Sequence, residues 1–186
     1  MVKMVRLPII AIVLSLVPVM AQAQGRTPRT DSAAVGFDIG LFKPNEDVLN
    51  ATVSLDGFYE YYLSPRTSVR FGLGYMAPDY EFEQDESLRY ISVGGDVIYN
   101  WEGGAVHPFV GAGVGVYIMQ PRENGNDVAE SESKLGVSVL GGLEYFTSNT
   151  VALKGEASYH FISDVDNFGP RNPNGLKLSI GLKKYF

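Results

Sequence analysis

From residue 33 onward, apolar side chains recur at every second position, and charged, hydroxylic or glycine residues fill the alternates. In 150–162, Val151, Leu153, Gly155, Ala157, Tyr159 and Phe161 share one parity, while Ala152, Lys154, Glu156, Ser158 and His160 share the other. A period of two is the signature of a β-strand with two unlike faces. Eight segments carry it: 33–42, 52–63, 67–77, 88–101, 108–119, 134–147, 150–162 and 175–186. None has the helical period. Most run 10 to 14 residues, about twice the ~5–6 of a soluble strand and close to the ~9–11 tilted residues that cross a bilayer.

The connections alternate in length. Those at 64–66, 102–107 and 148–149 are short, and those at 43–50, 78–87, 120–133 and 163–174 are long and polar. An even number of strands with short turns at one end and long loops at the other predicts an all-β fold, an eight-stranded antiparallel up-and-down transmembrane β-barrel. On the apolar parity, Tyr61, Tyr99, Trp101, Tyr145 and Phe186 fall near the short turns, and Tyr75, Tyr159 and Phe161 near the long loops. Two aromatic belts with aliphatics between them match the two interfaces of a membrane. The rival of another class is a soluble, lipocalin-like ligand carrier, which reverses the assignment of the same two faces.

The stretch "PFVGAGVGVYIM" (108–119) sets Gly111, Gly113 and Gly115 on one face of a strand. Glycine inside a strand adds backbone entropy and packs nothing. On the inner wall of an eight-stranded barrel it makes room instead, because that interior is only wide enough for side chains to fill. Arg70, Tyr62 and Lys154 are the long side chains expected to use the room. A G-x-G-x-x-G nucleotide loop is excluded by the spacing and by the lack of a following helix.

The N-terminus changes the picture of where the chain works. Lys3 and Arg6 precede the apolar run Leu7–Met20, and Ala21-Gln22-Ala23 is an A-x-A cleavage site. This predicts a secretory signal peptide over 1–23, cleaved after Ala23, a short periplasmic tail over 24–32 and a barrel over 33–186. The chain has no Cys, so no disulfide and no Cys-ligated metal is available. Loss of Lys3 and Arg6 takes the formal charge from −6 to −8, which argues against nucleic acid as a partner.

With these features together, the chain resembles the small outer-membrane β-barrels of the OmpA transmembrane-domain, OmpX and opacity-protein type. "PFVGAGVGVY", "ALKGEASYHF" and the terminal "LKLSIGLKKYF" carry the resemblance, which covers 33–186. It implies a Gram-negative outer-membrane location, contact with membrane lipid and lipopolysaccharide, and a C-terminal aromatic, Phe186, read by the barrel-assembly machinery. Lys184 departs from the family's usual apolar residue at that position. The resemblance identifies a fold that serves many roles.

Inward parity collects Asp38, Asp56, Glu60, Asp96, Glu144 and Glu156 against Arg70, Lys154, Lys177 and Lys183. Buried charges are costly unless paired, so Glu60, Arg70, Asp96, Glu144, Lys154, Glu156, Lys177 and Lys183 are expected to form a structural ion-pair network that closes the lumen. Pairing about Asn149 sets Glu144 opposite Lys154 and Gly142 opposite Glu156. Pairing about Pro65 sets Glu60 opposite Arg70. Lys183 is expected to join Lys154 in neutralising Glu144 and Glu156. The alternative is a small-solute or hydrophobic-compound channel.

Catalysis is not expected. Glu156, Ser158 and His160 suggest a lipid A-modifying hydrolase, but they point inward and lie in a row. His107 is expected to be solvated in a turn. No cofactor or metal site is evident. The long loops 78–87 and 120–133 are rich in acids: Asp79, Glu81, Glu83, Asp85 and Glu86 in the first, Glu123, Asp127, Glu130 and Glu132 beside Arg122 in the second. Tyr80 and Phe82 favour order in the first loop. A monomer with a structural or adhesin-like surface role, meeting an extracellular partner through these loops, is the expectation.

Overall fold

The structure, a computed structural model, describes residues 28–46, 49–80, 86–102, 104–124, 126–128, 130–163 and 173–186. The signal segment 1–23, the start of the tail, and Glu81, Phe82, Glu83 and Asp85 lie outside the described residues. The strands are β1 (Ala33–Pro44), β2 (Thr52–Tyr62), β3 (Thr67–Met76), β4 (Glu86–Asn100), β5 (Val106–Glu123), β6 (Asn126–Asp127), β7 (Glu132–Ser148), β8 (Val151–Ile162) and β9 (Gly175–Tyr185). Each long strand pairs antiparallel with its neighbours, β1 pairs with β9, β4 pairs directly with β5, and the two-residue β6 pairs with the top of β5. Eight strands therefore close into a barrel, and no sheet edge runs the length of the wall.

The two faces sort as the alternation requires. Phe37, Leu41, Phe71, Leu73, Ile180 and Leu182 point outward and are exposed, while Glu60, Arg70, Lys154 and Lys183 point inward and are buried. An apolar exterior around a charged interior is the transmembrane arrangement. It is the opposite of a lipocalin-like carrier, whose apolar face would line the lumen. Among the belt residues, Tyr75, Tyr99, Trp101 and Phe161 are exposed on the outer face. Tyr61, Tyr145 and Tyr159 are half-buried there. Tyr61 donates to Asp31 at 2.5 Å, and Asn45 donates to the Tyr159 hydroxyl.

Four strands run further at the long-loop end than the alternation predicts: β1 continues to Pro44 and β4 begins at Glu86. β5 continues four residues past Met119, and β7 begins at Glu132. Glu86 lies opposite Glu123, Arg89 opposite Gln120, and Met119 opposite Glu132. Above the membrane both faces of a sheet are wet, so the apolar alternation ends while the backbone ladder goes on. β4, β5 and β7 thus form a raised part of the rim. Arg89 donates to Gln120 and pairs with Asp127 at 3.4 Å. Arg122 pairs with Asp127 at 3.2 Å and Lys134 with Glu132 at 2.7 Å. Part of the second loop's acidity is therefore matched by bases. Tyr80 takes part in the first loop's order through its backbone, bonding to Glu86 at 3.0 Å and bridging to Leu49.

At the short-turn end, the tail folds back on the barrel. The Asp31 amide donates to the Tyr62 carbonyl at 2.8 Å, and Asp31 takes a positive φ of 65° to do so. Ala33 and Phe186 exchange backbone hydrogen bonds of 3.3 and 3.0 Å. Phe186 keeps its side chain exposed, and Lys184 donates to Thr150 at 2.8 Å.

Candidate functional site in the barrel lumen

The inward side chains stack in layers. The layer at the short-turn end centres on Lys183, whose ammonium is fully buried. It meets Glu144 at 2.5 Å, Glu60 at 2.8 Å and the Tyr62 hydroxyl at 2.9 Å. Tyr185 donates to the second Glu144 oxygen at 2.5 Å, and Ser68 to Glu60 at 2.6 Å. His107 is buried here, contrary to the solvated turn expected of it. β5 starts at Val106, so inward parity takes the ring under the barrel wall, where Nε2 meets the Gly104 carbonyl at 3.0 Å and the ring packs at a tilt against Phe146.

One level up, Arg70 bridges Glu60 at 3.2 Å and Glu156 at 2.7 Å. Lys154 meets Asp38 at 2.6 Å and Glu156 at 3.0 Å. Both cations lie over the Phe58 ring, at 4.7 and 4.5 Å from its centroid, a contact that compensates for lost hydration. The registers Glu144–Lys154, Gly142–Glu156 and Glu60–Arg70 are as the turns predict. The contact between Glu144 and Lys154 is not formed. Lys154 turns away to Asp38, and Lys183 alone of the lysines takes Glu144. A lysine stem spans more than one strand spacing, so cross-strand position limits its partners without choosing among them.

Above this lies a chamber of about 80 Å³. Lys177 meets Asp56 at 2.9 Å beside it, and Asp96 accepts from Ser138 at 3.2 Å. Ser158 and His160 Nε2 are 3.1 Å apart, and His160 Nδ1 meets the Tyr117 hydroxyl at 2.7 Å. Serine and histidine do come together here, which corrects the expectation of residues merely in a row. Glu156 is not their third member, being held by Arg70 and Lys154. Phe42, Leu49, Met76, Leu88, Tyr90 and Met119 then pack as an apolar layer at the long-loop end, with Tyr117 and Ile162. A serine–histidine pair between an ion-pair layer and an apolar layer meets no membrane lipid.

The inward glycines serve nearer neighbours than Arg70, Tyr62 or Lys154. A Cβ at Gly113 would fall 2.0 Å from Asp96, one at Gly36 would fall 2.1 Å from Phe58, and one at Gly181 would fall 1.9 Å from Asp38. Each side chain lies flat against the adjacent strand's bare backbone. Sequence reasoning missed Phe58, Tyr185 and the apolar layer. Their signal is inward parity: Phe58 shares it with Glu60, Tyr185 with Lys183, and Phe42 with Asp38.

A closed eight-stranded barrel with an apolar outer belt and a charged lumen defines a transmembrane β-barrel protein. The chain matches the family model "Outer membrane protein beta-barrel domain" over residues 9–183, and it belongs to that family. Among solved structures, Neisserial surface protein A is similar at TM-score 0.65 and 19% identity, over 83% of this chain and 96% of that one. OprG of Pseudomonas aeruginosa is similar at 0.65 and 12%, over 89% and 99%. The attachment invasion locus protein of Yersinia pestis is similar at 0.54 and 14%, over 86% and 100%. At these identities the likeness is one of fold. No curated protein matches the chain.

Proposed function

We propose that this outer-membrane barrel is a closed, non-enzymatic scaffold whose role is surface interaction at its extracellular rim. The observation that carries the reading is the division of the molecule. The lumen is blocked by an ion-pair layer below and an apolar layer above its chamber, whereas β4, β5 and β7 rise beyond the level where the other strands stop. A blocked barrel transports little, and a paired, stiff hairpin presents side chains outward at low entropic cost. The chain works as a monomer in lipid and lipopolysaccharide, is exported by a signal peptide cleaved after Ala23, and is inserted through recognition of Phe186. Residues 120–133, with loop 78–87, form the contact face for an extracellular partner.

The test compares whole cells that carry the intact protein with cells that carry it with 120–133 cut to a tight turn. Binding to host-cell or matrix surfaces should fall to the level of cells lacking the protein, with outer-membrane amount unchanged. Equal binding by both strains overturns the rim reading. Planar-bilayer recording should show no steady conductance, and a stable ion-selective open state would replace this reading with the channel one.

A further inference from the structure

We propose that residues 28–32 are a strap that locks the floor of the barrel at its short-turn end. Seated, it pins the β1–β9 seam and keeps water from the Lys183 layer; released, it lets water in. A segment leading into a first strand is poorly ordered unless something ties it down. This one is tied to β2, to itself and to the far wall. The Asp31 amide donates to the Tyr62 carbonyl at 2.8 Å, and the Tyr62 amide donates to the Ser32 carbonyl at 2.9 Å. The Tyr61 hydroxyl donates to the Asp31 carboxylate at 2.5 Å. The Ser32 amide donates to the Arg29 carbonyl at 3.1 Å, and the Arg29 amide donates to the Ser32 hydroxyl at 3.0 Å. Pro28 is buried, and it borders a crevice of about 50 Å³ together with Phe146, Thr150, Tyr185 and Phe186. The residue types suit these places. Proline buries no bare amide donor. Aspartate is among the few residues that accept a left-handed φ, here 65°, and such a conformation persists only where its surroundings over-determine it.

In the wall, β1 lies between β2 and β9. The strap is bonded to β2 and seated against β7 and β9, so it holds both sides of the seam without belonging to the ladder. The ladder itself ends at this level. Ala34 opposite Tyr185 is the lowest pair of the seam, and Ala33 and Phe186 exchange hydrogen bonds just below it. The layer above the strap is the dry one. The Tyr62 and Tyr185 hydroxyls lie 3.1 Å apart, and the Lys183 ammonium donates to the first at 2.9 Å. Tyr62 is gripped by the strap at its backbone, and Tyr185 borders the Pro28 crevice. Ala34, Phe146 and Ala152 complete the cluster and are buried. A few hydrogen bonds and one buried proline place the strap at the low end of local stability, where a segment opens before the whole fold does. Opening it frees the backbone of Tyr62 and uncovers Tyr185, the two phenols that shield Lys183.

The chain has no cysteine, so Ala152→Cys places a single thiol in the covered layer. The test compares two forms of this variant in micelles, both folded by their heat-modifiable gel shift. One keeps the native strap, and the other has residues 28–31 replaced by Gly-Ser-Gly-Ser, which preserves chain length. A small, water-soluble methanethiosulfonate should label the native-strap form roughly tenfold more slowly or slower still. Amide exchange followed by NMR should quicken by a similar factor at Ala33, Tyr62 and Phe186 in the replaced form and stay unchanged in β4 and β5. Should the replaced form fail to fold, Asp31→Val and Asp31→Gly take its place. Both lose the carboxylate, but valine resists a positive φ and glycine accepts it, so Asp31→Val should label faster than Asp31→Gly. Should Ala152→Cys itself fail to fold, Ala34→Cys reports on the same layer. Equal labelling with and without the strap sequence, or equal labelling of the two Asp31 variants, overturns the proposal, the barrel's own side chains then closing the floor. Faster labelling accompanied by faster exchange in β4 and β5 overturns it as well, since the whole barrel would then be loosened.

Discussion

The lower and upper halves of the lumen are built from the same residue types and differ in how fully they are satisfied. In the lower half, Lys183 touches two carboxylates and a phenol, and those carboxylates are completed by Tyr185, Ser68 and Arg70. In the upper half, Asp38 Oδ1, Asp56 Oδ2 and the second Arg70 amino group have no protein partner. The difference is one of space. Tyr62, Tyr185 and Phe146 crowd the lower half to exclude water, while Gly72, Gly74, Gly94 and Gly115 hollow out the upper. Ion pairs in the first setting hold the wall together, and in the second they border a chamber of about 80 Å³.

The comparison can be broken at Lys183. Lys183→Met leaves Glu60 and Glu144 charged in a dry layer, so unfolding in urea should show a loss of about 3–5 kcal/mol. Adding Glu60→Gln and Glu144→Gln should restore much of it. A single-variant loss under about 1 kcal/mol would mean that water reaches this layer and that the two halves are alike.

Packing offers the next largest effect. A Cβ at Gly142 would fall 2.1 Å from the Gly155 carbonyl and 2.6 Å from the Phe109 ring. Gly142→Ala should therefore cost about 1–3 kcal/mol by the same measurement. Lys177→Met should cost less than Lys183→Met, about 1–2 kcal/mol, because chamber water can replace its bond to Asp56. Gly115→Ala, where the nearest atom to a new Cβ is 3.1 Å away, should be the mildest, within about 1 kcal/mol. Equal losses for Gly142→Ala and Gly115→Ala would show that the upper half is as tightly packed as the lower.

The wall was legible in the sequence because a barrel strand writes its position twice, in parity and in turn spacing. Each of the eight long strands lies where the alternation puts it, and the turn at 148–150 fixed Glu144 opposite Lys154 despite a bulge between Phe146 and Ser148. What failed to read were features that depend on distance across the lumen. Lys154 chooses Asp38, a residue more than a hundred positions away, and only closure of β1 on β9 brings it near β8. The tops of β5 and β7 failed for another reason, since a ladder wet on both faces carries no hydrophobic period. His107 looked like a turn residue because Pro108 follows it, yet at Pro108 the strand has already begun.

The seam between β1 and β9 has a consequence for how the chain reaches this state. Ala34 pairs with Tyr185 and Pro44 with Gly175, the largest sequence separations in the molecule, while every other long pairing joins strands adjacent in the barrel order of synthesis. Loop-closure entropy makes such a pairing the most demanding to form early. The hairpins can assemble in any order, but the cylinder cannot seal until its final strand has been delivered. A chain interrupted before β9 keeps two open edges, with rows of unpaired amides and carbonyls facing hydrocarbon or other chains. Sealing is thus an all-or-none inspection of length: the last strand certifies that every earlier one is present.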